Sequence, residues 1–404
     1  MPGTLPEELV ETDLRTDHRG RTWAIVTAVL ERHPARVDPA CVQFRGCPGC
    51  PLRHAQATWA AAWKLEAARR TFARLAGRPA PPGTLLEPVG RDGFRARLSA
   101  TVIGETLGMN ALPGEPAVDL SACPAQTNGS RTALARLRED LRDAGVLDAV
   151  LRASVAAADD TGEVRVALSA VDRAGLARLV AADLPKRPLW SVFAKFLGPR
   201  DVDLESGATA LYGSATMHFE AGGDRFQATM PAWVPQAPGT LDALRRCVVE
   251  RLEPAGAAVL ELGCGVGTTS LALARLARRF IGVDCVREAI VDANENARRA
   301  GVTGANFRLG FADRAVRRLV ASGERFDAVL LHGMRGSFGA RLMDVLPATG
   351  AQRVVYLAPI TASLARDTVH LRGLELIRLD FIDQMPGTAH LMAIGVFARP
   401  RPSG

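Results

Sequence analysis

The chain has 404 residues, 48% of them hydrophobic and 23% charged, with a net charge of +7. That length fits two or three domains with sizeable cores, and the composition excludes disordered, collagen-like and coiled-coil chains. No uncharged apolar run reaches the roughly 18 residues of a membrane helix. The acidic start, MPGTLPEELVETD, has no apolar core of a secretory signal, so a cytoplasmic protein with reduced thiols is expected. The positive charge is a mild pointer to a polyanionic partner.

In chain order, residues 23–31 read as a strand or short helix. Three cysteines follow within ten residues, Cys41, Cys47 and Cys50. Residues 55–76 are an Ala-rich basic helix with Lys64, Arg69, Arg70 and Arg74, and 77–88 form a Pro/Gly linker. Strands with Gly turns are expected over 93–120, a second basic helix over 130–145 ending at Gly145, and strands near 163–169 and 208–227. After about residue 238 strand and helix alternate: VLELGC (259–264), a helix (269–279), FIGVD (280–284), a helix (286–300), FDAVLL (326–331) and RVVYLA (353–358). That alternation predicts a parallel, doubly wound α/β sheet.

Gly263-Cys264-Gly265-Val266-Gly267 joins a buried strand to a helix, and Asp284 ends the second strand 17 residues after Gly267. An acidic group there can accept from both ribose hydroxyls. The pattern E-x-G-x-G-x-G resembles the first motif of class I S-adenosylmethionine (SAM) methyltransferases. The resemblance implies that Glu261, Gly263, Gly265 and Gly267 line the methionine end, Asp284 the ribose and Asp313 the adenine amino group.

Cys41-x5-Cys47-x2-Cys50, with Cys123 73 residues on, offers four thiolates, a set that suits zinc or an iron–sulfur cluster. The segment CVQFRGCPGCPLRHAQATWAAAWKLEAARRTF resembles the cysteine-rich segment of RNA 5-methyluridine (uracil-C5) methyltransferases. The likeness continues through GFRARLS (93–99), DRFQATM (224–230), the SAM domain and LARDTVHLRG (364–373). It implies a [4Fe–4S] cluster on Cys41, Cys47, Cys50 and Cys123, a SAM contact by Gln227, and ribosomal or transfer RNA as partner, with a monomer favoured.

The resemblance further implies a truncated TRAM-like barrel over 1–40, an α+β cluster and RNA-binding region over 41–237, and a Rossmann-like SAM domain over 238–404. The family methylates uracil C5 by adding a cysteine thiolate to C6, and a glutamate later removes the C5 proton. Here the nucleophile position falls on Pro359 and the base position on Met392, while His332, Gly333 and Met334 replace an Asp-Pro-Pro motif that keeps Arg335. Thr229 stands where the family has asparagine. No cysteine follows Cys285; Cys247, Cys264 and Cys285 read as packing or loop residues, and His54 and His390 as orienting or structural ones. His332, after a strand at the cofactor edge, is the candidate base for a nitrogen or oxygen acceptor, with Arg335 beside it. Three readings follow: an RNA methyltransferase without the thiol adduct, an inactive RNA- and SAM-binding relative, and methyl transfer to a substrate other than RNA.

Overall fold

The structure, a computed structural model, describes residues 3–16, 20, 22–86, 90–110, 117–198, 204–333 and 336–400. It divides into two compact units: Met1–Trp63 with Gly90–Ser214 and Met385–Ala389, and Lys64–Val89 with Ala215–Gln384 and His390–Gly404. The chain thus passes between units several times, and the change at Ser214/Ala215 precedes the boundary expected near 238. Among the described residues no helix is long and apolar enough to cross a membrane.

In the first unit, Leu9–Thr16 and Thr22–Glu31 pair as a two-stranded antiparallel ribbon. Seven strands make the main sheet, in the order Thr209–Tyr212, Trp190–Phe196, Glu163–Ala170, Val150–Ala158, Arg97–Ile103, Thr106–Met109 and Val118–Asp119. The helix Asn128–Asp143 buries Ala133, Leu134, Leu137 and Leu141, the three- and four-residue spacing of an apolar stripe, on this sheet's core. Its Thr127 cap accepts from the Ser130 N–H, and Gly145 follows at φ +67°.

The second unit holds an eight-stranded sheet ordered Ala305–Leu309, Arg279–Asp284, Ala258–Leu262, Ala328–His332, Arg353–Ala358, Met392–Ala398, Glu375–Ile382 and Leu85–Leu86. The first five strands are parallel, as expected. Met392–Ala398 runs antiparallel to both its neighbours, so the sheet is mixed. The physical reason is chain length: residues 383–391 are too few for the crossover that parallel strands require. Val259, Leu260, Leu262, Val329, Leu330 and Leu331 are all fully buried, as helices on both faces demand. The helix after the glycine loop spans only Ser270–Ala274, because the chain turns over residues 275–278 into Arg279–Asp284.

Candidate active site at the carboxyl edge of the parallel strands

In a sheet of this topology ligands bind beyond the carboxyl ends of the strands. Four structural groups meet there. The glycine loop follows Ala258–Leu262, Asp284 ends Arg279–Asp284, His332 ends Ala328–His332, and Pro359 follows Arg353–Ala358. His332 pairs in register with Leu357, and Ala358 with Ala393, which brings Met392 to the same edge at the head of the last strand.

The loop's shape comes from its backbone. Gly263 has φ +83°, and a Cβ there would lie 2.5 Å from the His332 carbonyl oxygen, so no side chain fits. Gly265 has φ +53° and nothing within 4 Å of its would-be Cβ, which leaves its outer face open. The Asp284 carboxylate accepts from the Gly265 N–H and the Val286 N–H, both at 2.9 Å, and so couples the loop to the second strand. Asp313 is half-buried in the first turn of the Ala312–Ala321 helix.

Glu261 is fully buried beneath the loop and does not line its open face. Its oxygens accept from the hydroxyls of Thr269 at 2.5 Å and Ser270 at 2.6 Å. Burial pushes its carboxyl up to about 7, against the pull of those two hydrogen bonds.

Gln227 is likewise engaged elsewhere. Its amide nitrogen donates to Asp292 at 2.6 Å, and its side-chain oxygen accepts from Arg299 at 2.5 Å. Asp292, itself buried, also accepts from the Thr229 N–H and hydroxyl. Asn296 completes the clasp. Its side-chain oxygen accepts from the Gln227 N–H, and its Nδ2 donates to the Gln227 carbonyl and, at 2.9 Å, to the Val266 carbonyl of the glycine loop. Gln227 therefore holds the Thr216–Ala221 and Asp224–Thr229 hairpin to the Arg287–Arg299 helix in this structure, a placement that a direct SAM contact would have to change.

His332 is half-buried, and desolvation lowers its pKa while nearby Asp284 opposes the shift. Desolvation thus favours the neutral imidazole. Arg335 lies outside the described residues. Pro359 is half-buried in a bend, and Met392 is buried and paired with Ile382. Pro359 carries no nucleophilic atom, and the thioether of Met392 is no base for a proton near neutral pH. Burial raises the thiols of Cys247, to about 11, of Cys264, well above its usual value, and of Cys285. None of the three is poised as a thiolate. His390 is exposed, and His54 is buried in the first unit against Phe44, with ring centroids 5.2 Å apart.

Sequence reasoning missed Asp292, Asn296 and Asp367. Asp367 is buried and accepts from the Tyr356 hydroxyl at 2.7 Å and from the Phe338 and Gly339 N–H groups, fixing the backbone at those two residues. Its place in LARDTVHLRG was the available signal, since periodicity says nothing about a buried carboxylate's partners.

In the first unit, Cys41, Cys47, Cys50 and Cys123 are all partly buried and none forms a disulfide. Cys47 is influenced by the charges of Cys123 and Cys41, and Cys50 by those of Cys123 and Cys47, so the four sulfurs share one neighbourhood. The expected closed ligand set is nevertheless not formed. Among the described residues no three His, Cys, Asp or Glu side chains are grouped to hold a metal ion. Burial favours the protonated thiols of Cys47 and Cys50, and Cys47 and Cys123 pack on the sheet's apolar core.

Comparison with known proteins agrees with this edge. Residues 254–355 match a family model described as a methyltransferase domain. The 23S rRNA (uracil(1939)-C(5))-methyltransferase RlmD of Alkalilimnicola ehrlichii is 30% identical, over 98% of this chain and 91% of its own length. The chain belongs to the RNA uracil-C5 methyltransferase family. It is a SAM-dependent methyltransferase. An uncharacterized RNA methyltransferase of Halalkalibacterium halodurans is 26% identical over 97% of this chain and 89% of its own. Among solved structures, the Pyrococcus abyssi tRNA (uracil-54, C5)-methyltransferase in complex with S-adenosyl-L-homocysteine shares the fold. Its TM-score is 0.74 at 19% identity, over 98% of this chain and 95% of that one.

Proposed function

We propose that this chain transfers the methyl group of SAM to RNA by a route that forms no cysteine adduct, with His332 taking up the acceptor's proton. The observation that carries this is the place of His332: it ends a central strand, with its backbone carbonyl against Gly263 of the cofactor loop, and desolvation there favours its neutral form. Bound SAM supplies an electrophilic methyl group on a sulfonium sulfur. The open face over Gly265 leaves room for it, while Asp284 and Asn296 hold the loop that receives it. The methyl–sulfur bond breaks as the acceptor–methyl bond forms, and the acceptor's proton passes to the imidazole and then to water. Orientation at such an edge can carry methyl transfer to an already nucleophilic atom. RNA as acceptor is supported by the names of the relatives and by the net charge of +7.

We further propose that Cys41, Cys47, Cys50 and Cys123 hold a [4Fe–4S] cluster. Support comes from the donor set, the shared neighbourhood of the sulfurs, and a buried Arg95 Nε without a hydrogen-bond partner, in electrostatic reach of Cys47 and Cys50. Anaerobically purified protein should then be brown and carry about four irons per chain; colourless protein with one zinc would overturn it.

The decisive test of the activity is transfer of label from methyl-tritiated SAM to bulk RNA, followed by nucleoside mass spectrometry. His332→Ala should slow transfer roughly 100- to 10,000-fold with SAM binding retained. The labelled nucleoside identifies the acceptor atom. A heteroatom needs His332 alone, whereas 5-methyluridine would mean that a nucleophile adds at C6 and would overturn the adduct-free route. A second reading, an inactive RNA- and SAM-binding relative, is favoured by the joint replacement at Pro359 and Met392. Bound SAM without label in RNA would establish it, unless whole-cell extract supplies a different acceptor.

A further inference from the structure

Aromatic side chains are scarce and, among the described residues, mostly buried or half-buried. Of 14 Phe, 5 Trp and 2 Tyr, only Trp233 and Phe311 are exposed, at 53% and 59%. Phe311 heads the Ala312–Ala321 helix, its carbonyl accepting from the Ala315 N–H at 2.9 Å. The preceding residue, Gly310, donates to the Asp284 carbonyl at 2.9 Å, so the ring stands beside the cofactor edge.

The helix itself is strongly two-faced. Val316 and Leu319 are buried, while Arg314, Arg317 and Arg318 are exposed on the opposite face, at the spacing that stacks side chains one turn apart. No carboxylate pairs with these three guanidinium groups among the described residues, and Asp313 is the helix's single acidic residue. The Arg314 guanidinium lies 5.5 Å from the centre of the Phe311 ring. An exposed ring is costly to hydrate, and with one cation over it and two more unpaired cations beyond, this face matches a base followed by phosphates.

We propose that Phe311 and the Arg314–Arg317–Arg318 face form a contact site for a single-stranded stretch of RNA, the ring stacking one base and the guanidinium groups facing the backbone. This rests on RNA being the substrate, and it adds the place where the strand is gripped beside the reacting edge. Duplex RNA would not satisfy the ring, because its bases are already stacked.

The test is fluorescence anisotropy of a labelled single-stranded oligoribonucleotide across a salt series. Wild type, F311A and the combined R314A, R317A and R318A variant are compared, with SAM affinity measured by calorimetry. F311A should weaken RNA binding roughly 5- to 150-fold at unchanged salt slope. The triple variant should reduce the slope of log K against log salt by about 2. SAM affinity should be unchanged in both. Wild-type affinity and slope in both variants would overturn the site while leaving RNA as substrate. So would F311A weakening SAM binding alone, which would place the ring at the adenine, or duplex RNA competing as well as single strands. Wild-type protein that binds no RNA would remove the substrate reading as well.

Discussion

Replacing Glu261 by Gln tests how the cofactor loop is underpinned. The folded carboxyl titrates at about 7, against an ordinary 4.5, chiefly because burial penalises its charge. A raised folded pKa means that the folded state binds the proton more tightly than the unfolded chain. The associated stability is fully present below about pH 4.5, declines as pH rises toward 7 and is lost above it. A gap of 2.5 units corresponds to about 3 kcal/mol. In a unit of this size that is roughly 6–12 °C in melting temperature. Gln carries no titrating proton, and the Thr269 and Ser270 hydroxyls can turn to bond its amide. Melting both proteins from pH 5 to pH 8 and subtracting cancels every other titration. The expected difference moves steadily in favour of Glu261→Gln as pH rises. A difference that is flat across the range would refute the burial argument.

Asn296→Ala removes three hydrogen bonds that satisfy Val266 and both backbone groups of Gln227. It should cost about 3 kcal/mol by denaturant unfolding and weaken SAM binding, whereas Asn294→Ala, which loses a single bond to Ile290, should cost under about 0.5 kcal/mol. Gly263→Ala meets both a positive φ and the His332 carbonyl; calorimetry should find SAM binding abolished with the fold retained by circular dichroism. Lys64 and Asp383 form a buried ion pair at 2.7 Å, so Lys64→Ala should destabilise by about 3–5 kcal/mol, read from the denaturation midpoint.

The alternation of strands and helices and the cofactor loop were legible because their signals are local. Buried runs such as Val259–Leu262, glycines at turns and an acidic strand end need only the chain's own neighbours to be recognised. The antiparallel strand Met392–Ala398 was not legible, since its direction follows from the short return over 383–391 and not from its composition. The present partners of Gln227 were not legible for a related reason. A carboxamide's partner is set by tertiary packing, and here Asp292 and Arg299, 65 and 72 residues away, claim both its ends. The burial of Glu261 was not legible either, because the motif fixes sequence position and only the fold shows its bonds to Thr269 and Ser270. The cysteine spacing located one neighbourhood of four thiols, yet spacing alone says nothing about how closely protonated sulfurs approach one another.

Methyl transfer without a thiol adduct is tested most directly by removing every thiol of the SAM unit. A Cys247→Ala, Cys264→Ala, Cys285→Ala variant leaves His332 and the loop backbone untouched. It should bind SAM and pass labelled methyl to RNA at a rate comparable with wild type. A folded variant that binds SAM and RNA but transfers nothing would show that one of these thiols is the nucleophile and would contradict the account.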